Sequence, residues 1–199
     1  MKLRNTYYLL RHGESLKNIK GFESCWPEKT KVPLTKKGER DAKKVAGEAK
    51  RKKIDLIFSS DILRTKQTAG ILGKTLDIKP KFDKRLREIN IGIFNGQSIK
   101  DYGKFWNGGK NLLPIEHYAR RFRIPAPKGE DYRDVEKRLS SFIKETEKRY
   151  KGKNIVIVGH SRPLTLLEKI VYKYPLKKFV DVIINKKEIK TGELRKLRK

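Results

Sequence analysis

Tyr7-Tyr8-Leu9-Leu10-Arg11-His12-Gly13-Glu14-Ser15 is the stretch on which the fold turns, because four large apolar residues run straight into a basic loop carrying histidine and glycine. A short apolar block of that kind reads as a buried strand ending in a functional loop. Two further blocks repeat the plan: Ile54 to Phe58 runs into Ser59-Ser60-Asp61-Ile62-Leu63-Arg64, and Ile155 to Val158 into Gly159-His160-Ser161. A fourth block, Phe179 to Ile184, reads as another strand from its aromatic and β-branched content. Helical patterns lie between the blocks. Ala42, Val45, Ala46 and Ala49 share one face after an N-cap at Thr35, and Tyr132, Val135, Leu139, Phe142 and Thr146 do so after Asp131. Further helices are expected from near Asp61, with Ile62, Ala69 and Leu72, and from Arg162-Pro163, with Leu164, Leu167, Ile170 and Val171. Strands alternating with helices imply an α/β fold, a mostly parallel sheet covered on both faces, with its site at the carboxyl ends of the strands.

The 199 residues are read as a single domain, 1–199, without repeats or a linker. Residues 96–129 break the alternation with Phe105-Trp106, Gly108-Gly109, Pro114, Pro125 and Pro127, and are expected to form an inserted cap over the strand ends. Fifty-one Lys plus Arg against 23 Asp plus Glu give a net charge of +28, which points to anionic partners of any kind. Lysine supplies 35 of the 51, whereas base-reading surfaces favour arginine forks, so a nucleic-acid partner is disfavoured though not excluded. The segment 173–199 is mildly enriched, at +7 over 27 residues. No apolar run is long enough for a membrane span and no signal-peptide profile opens the chain, so a cytoplasmic location is expected. The lone Cys25 forbids an internal disulfide and a Cys-rich metal site, and no Gly-x-x-x-x-Gly-Lys-Ser/Thr loop exists.

If the three strand ends converge, two of the three histidines and two arginines share one pocket. A neutral imidazole attacks phosphorus well when a backbone carbonyl holds its other nitrogen, and Gly13 after His12 lets the backbone come close enough. Arg11 and Arg64 would clamp phosphoryl oxygens, and a protonated His160 would add a donor. A carboxylic acid must protonate the leaving alkoxide and then act as base on water. Glu88, isolated between apolar residues after a short strand near Ile78 to Phe82, is the choice, with Glu14 and Glu130 as the other acids beside glycine turns.

Taken together, Leu10-Arg11-His12-Gly13-Glu14-Ser15 with Asn18, Pro33-Leu34-Thr35-x-x-Gly38, Ser59-Ser60-x-x-x-Arg64-x-x-Gln67-Thr68-Ala69, Leu86-x-Glu88 with Gly92 and Gly96, and Gly159-His160 resemble the histidine phosphatase superfamily in its phosphoglycerate mutase-like branch. The five ordered motifs span about Tyr7 to Val171. The resemblance implies a three-layer α/β/α fold, no metal, no cofactor and a phosphohistidine on His12. It also implies phosphate binding by Arg11, Arg64 and His160 with Asn18 nearby, and Glu88 as proton donor. Ser161 after His160, where the acid-phosphatase branch has Asp, agrees with Glu88.

Within the branch the markers divide. Ile89-Asn90-Ile91-Gly92 stands where mutases resemble one another in Arg-His-Tyr-Gly, and Arg162-Pro163 where they have Asn-Ser. Arg120-Arg121-Phe122 resembles the mutase segment that gives an arginine pair to the substrate, so Arg120 and Arg121 are candidate contacts for a second anionic group. Phe105-Trp106, Pro127-Lys128-Gly129-Glu130 and Asp134-Val135-x-x-Arg138 resemble the phosphatases. The expectation is a phosphomonoesterase acting on a small anionic phosphorylated metabolite, with a bisphosphoglycerate-dependent phosphoglycerate mutase as the alternative. A polyanion-binding protein is a distant third. His117 is read as a surface residue of the cap, and Phe105, Trp106 and Phe122 as its local core. Substrate identity and oligomeric state are not legible in the sequence.

Overall fold

The computed structural model describes residues 3–107 and 111–197, so Gly108-Gly109 and Lys110 of the expected cap lie outside the described residues. Along the chain come β1 (Thr6–Arg11), α1 (Leu16–Lys20), α2 (Lys36–Lys50), β2 (Leu56–Ser59), α3 (Leu63–Leu76) and β3 (Lys81–Phe82). Two 3-10 turns, Lys84–Leu86 and Gly92–Phe94, lead to α4 (Ile99–Asn107) and α5 (Pro114–Arg121). Next are α6 (Tyr132–Arg149), β4 (Asn154–Gly159), α7 (Ser161–Tyr172), α8 (Leu176–Ile184) and β5 (Leu194–Leu197).

The strands form one sheet in the order β3-β2-β4-β1-β5, parallel throughout except for β5. Side chains alternate across a strand, so each central strand feeds two cores. Tyr7 and Leu9 of β1 with Ile155 and Ile157 of β4 face α6, α7 and α8, whereas Tyr8, Leu10, Val156 and Val158 face Val45, Ala46, Ala49, Ala69 and Leu72 of α2 and α3. This is a three-layer α/β/α fold. The expected caps form as read: Thr35 Oγ1 accepts from Gly38 N at 3.0 Å and Asp131 Oδ1 from Asp134 N at 2.9 Å.

Two departures concern the C-terminal segment. Phe179 to Ile184, read as a strand, is part of helix α8. Phe179, Val180 and Ile183 all turn inward, a helical spacing that the β-branched run conceals, and Phe179 packs against Phe122 and Tyr132. The strand of this region is instead Leu194-Arg195-Lys196-Leu197, which pairs antiparallel with β1, Leu10 opposite Leu194 and Tyr7 opposite Leu197. Its charged residues hide it from a hydrophobicity reading, and an edge strand tolerates them. The described residues of 96–129 include the helices α4 and α5, with α5 packed beside α8. Among the described residues, no helix is long and apolar enough to cross a membrane.

Candidate active site

The parallel register brings the ends of β1, β2 and β4 together. His12 N donates to Gly159 O at 3.1 Å, and Ser60 N to Val158 O at 3.1 Å, so the loops carrying His12, Arg64 and His160 meet. The His12 and His160 rings lie edge to face with centroids 5.3 Å apart.

His12 is buried, and its Nδ1 lies 2.7 Å from Gly13 O. A carbonyl only accepts, so the proton sits on Nδ1 and Nε2 keeps a lone pair. Arg64 Nε donates to that Nε2 at 3.3 Å, in agreement with the assignment. The carbonyl is held in place by the neighbouring motifs. Gly13 N donates to Thr68 Oγ1 at 3.1 Å, and Gly38 at the start of α2 lies so close that a Cβ on Gly13 would sit 2.4 Å from Gly38 O. A Cβ on Gly38 would sit 2.0 Å from Glu14 O, so both positions need a residue without a side chain. Thr35 Oγ1 donates to Glu14 Oε1 at 2.8 Å, and Gln67 Oε1 accepts from Leu34 N at 2.8 Å. The Pro33-Leu34-Thr35-x-x-Gly38 and Gln67-Thr68 motifs therefore shape the histidine loop rather than line the cavity.

Arg64, fully buried at the start of α3, donates from Nη2 to Ser24 O at 3.0 Å, while its Nη1 lies 3.6 Å from Glu28 Oε1, beyond hydrogen-bond reach. Arg11 donates from Nη1 to Ile189 O at 3.2 Å and leaves its buried Nε without an acceptor. His160 Nε2 lies 3.0 Å from Ser60 Oγ, and its buried Nδ1 has no partner. Burial, followed by the charge of Arg64, pushes both His12 and His160 well below the ordinary imidazole range. Both are neutral at pH 7, so His160 does not add the donor that a protonated ring would.

A cavity of about 440 Å³ opens beside these groups, lined by Arg11, His12, Asn18, Glu88 and Arg121 among others. Of the three acids left open by sequence, only Glu88 reaches it. Glu130 instead binds Arg138 Nε at 2.9 Å and Asn90 N at 2.8 Å, and Glu14 is engaged by Thr35. Glu88 Oε1 accepts from Ile89 N at 3.0 Å, and Arg138 Nη2 reaches Glu88 O at 3.3 Å, fixing the loop. Asn18 is at the rim, its Oδ1 accepting from Ser15 N at 2.9 Å and Ser15 Oγ at 2.8 Å.

The arginine pair of the insertion divides. Arg121 lines the cavity but Arg120, one position and about 100° around the helix, does not. His117, half-buried, also lines the cavity, and burial followed by the charges of Arg121 and Arg162 lowers its pKa to about 4. Trp106 is buried in the local core as expected and lines the cavity as well. Arg162 and Glu188 line it too and were not read as site residues. Arg162 carried a signal, its place two residues after His160. Glu188 carried none, since a loop in the basic segment brings it there.

Comparison with known proteins agrees with this fold. The Escherichia coli (O1:K1 / APEC) protein named probable phosphoglycerate mutase GpmB is 30% identical over 168 residues, covering 84% of this chain and 75% of the relative. The structure of YhfR from Bacillus stearothermophilus superposes with TM-score 0.74 at 28% identity, over 88% of this chain and 83% of that one. A mycobacterial glucosyl-3-phosphoglycerate phosphatase has the same fold, with TM-score 0.80 at 21% identity, over 96% and 92%. The family model described as the histidine phosphatase superfamily (branch 1) matches residues 7–195, and the chain belongs to that superfamily.

Proposed function

We propose that the protein is a metal-independent phosphomonoesterase that works through a phosphohistidine on His12. The observations that carry this reading are two buried nitrogens without hydrogen-bond partners, Arg11 Nε and His160 Nδ1, and Arg64 Nε, which reaches the lone pair of His12 Nε2 at 3.3 Å. Ser60 Oγ accepts from Ile62 N at 3.3 Å and lies 3.0 Å from His160 Nε2; in the tautomer this reading uses, the hydroxyl donates to Nε2 and the imidazole proton is on Nδ1. Three donors of this kind suit the three non-bridging oxygens of a phosphoryl group, whose charge they stabilise in a dry site.

His12 Nε2 attacks phosphorus, the P–O ester bond breaks, and Glu88 delivers its proton to the departing alkoxide. Water then attacks the phosphohistidine while the Glu88 carboxylate takes its proton, which releases phosphate and restores both residues. Arg64 Nε shifts from His12 Nε2 to a phosphoryl oxygen as the substrate enters. Asn18 adds a contact at the rim, and Arg121 one at the far wall.

The experiment is turnover of para-nitrophenyl phosphate in the presence of EDTA by wild type and His12→Ala. Removing the nucleophile should cost at least about a thousandfold in kcat. Full activity in the variant, or loss of wild-type activity to EDTA, overturns the reading.

The GpmB relative supports a second reading, phosphoglycerate mutase. Ile89 and Ile91 lining the cavity, where a mutase would place polar side chains, favour the phosphatase. Incubation with 3-phosphoglycerate and a bisphosphoglycerate primer separates the two: free phosphate supports the hydrolase, and rapid 2-phosphoglycerate without phosphate supports the mutase.

A further inference from the structure

A cation buried as completely as Arg64 needs a counter-charge, and the identity of that charge decides how tightly the side chain grips a phosphoryl group. Arg64 Nε reaches His12 Nε2 at 3.3 Å and Nη2 donates to Ser24 O at 3.0 Å, both uncharged acceptors. The carboxylates whose charge acts on it are those of Glu88, Glu28 and Glu23. Glu88 lines the cavity and carries a proton when it serves as donor, and Glu23 pairs with Lys17. Glu28 is left. Its Oε1 lies 3.6 Å from Arg64 Nη1, an ion pair without a hydrogen bond, and both atoms are buried with no other partner.

Local structure holds Glu28 in that place. Helix α3 begins at Leu63 after Ile62, whose side chain cannot cap it, and Glu28 Oε2 accepts from Leu63 N at 3.0 Å instead. The segment before Glu28 is fastened to the turn ahead of α4. Glu23 N donates to Gln97 O at 2.8 Å, Gly96 N to Glu23 O at 2.8 Å, Cys25 N to Asn95 Oδ1 at 3.1 Å and Asn95 Nδ2 to Pro27 O at 2.6 Å. One carboxylate thus has one oxygen on the helix and the other toward the guanidinium. Glu28 does not line the cavity, so a phosphoryl group meets its charge without touching it. A carboxylate so placed stabilises the buried guanidinium and repels the dianion that Arg64 would bind.

We infer that Glu28 is a positioning residue that acts as the counter-ion of Arg64, keeping the guanidinium compensated between turnovers and loosening its hold on inorganic phosphate so that the product leaves. This rests on Arg64 binding the phosphoryl group, as in the phosphomonoesterase reading. A buried arginine without that carboxylate would grip a dianion more strongly, because the dianion would be its only opposite charge apart from Glu88.

Glu28→Gln is the test, because the amide keeps an oxygen for Leu63 N and removes the charge. Calorimetry with inorganic phosphate should give a Kd lowered by about fivefold or more relative to wild type. Saturating phosphate should also raise the thermal midpoint further in the variant than in wild type. A role confined to capping α3 predicts equal Kd values, since glutamine caps as well, and an unchanged or raised Kd overturns the inference. Glu145→Gln removes an exposed carboxylate of α6 and should leave Kd within about twofold. An equal tightening there would assign the effect to the overall field and would also overturn the inference. If Glu28→Gln does not fold, Glu28→Asp decides: its carboxylate stands back from Nη1 by one methylene and should lower Kd by at least about twofold, and no change overturns the inference. If wild type binds phosphate but does not hydrolyse para-nitrophenyl phosphate, the phosphomonoesterase reading fails alone and the Kd comparison still judges Glu28. If wild type does not bind phosphate, the inference fails with that reading.

Discussion

His12 and His160 illustrate at the scale of one residue how burial sets chemistry. Desolvation first, and then the charge of Arg64, keeps both imidazoles neutral in the folded protein. The unfolded chain takes up protons near pH 6.5 at positions where the folded chain does not. Their folded pKa values are depressed, so the stability linked to them is complete above the unfolded value and declines as the pH falls below it. His117, held at about 4, acts in the same direction. The thermal midpoint should therefore drop between about pH 7 and about pH 5, and the drop should be shallower in His160→Asn, which no longer titrates. Melting curves across that range check this, and an identical slope in wild type and variant would show that the histidine carries none of the effect. The same neutrality suits a nucleophile, whose lone pair survives mild acid.

Elements explain why the motifs occupy the positions they do. The first turn of α2 presses on the histidine loop so closely that Gly13 and Gly38 leave no space for a Cβ. Gly38→Ala, with its new carbon 2.0 Å from a backbone oxygen, should destabilise the fold by roughly 2 to 3 kcal/mol and reduce turnover with it. Urea unfolding measures the loss, and a change below about 0.5 kcal/mol would mean that the loop simply moves aside. In α8, Phe179 is fully buried between Phe122 and Tyr132, so Phe179→Ala should cost about 3 to 5 kcal/mol. The helix also anchors the loop that joins it to β5. That loop supplies Ile189 O to Arg11, Glu188 to Arg162, and Gly192 N to Arg11 O at 3.1 Å.

Over the whole molecule, the net charge of +28 is mostly lysine without a site of its own. It creates a positive field that draws anions toward the cavity, and salt screens it over about 10 Å at 0.1 M. The value of kcat/KM for a phosphorylated metabolite should fall several-fold between about 0.05 and about 0.5 M salt, with kcat much less affected. Stopped-flow or steady-state rates at fixed pH test this, and a flat salt dependence would confine the electrostatics to the cavity. The segment 173–199 is no free basic arm over its described length, because α8 and β5 build it into the core and the sheet.

The strands ending in Arg11-His12, Ser59-Ser60 and Gly159-His160, the helices between them and the parallel sheet are all legible from the chain itself. Apolar blocks, caps and periodicity are local, and short crossovers allow few ways to join them. The same local signals misread Phe179 to Ile184 and missed Leu194 to Leu197, since a short β-branched run fits a buried helix equally well and an edge strand needs little hydrophobicity. Tertiary structure alone decided that neither Glu14 nor Glu130 lines the cavity, which residue of Arg120-Arg121 faces inward, and that Arg162 and Glu188 join the cavity. Those outcomes depend on helix rotation and on contacts between residues far apart in the chain, neither of which leaves a periodic mark in sequence.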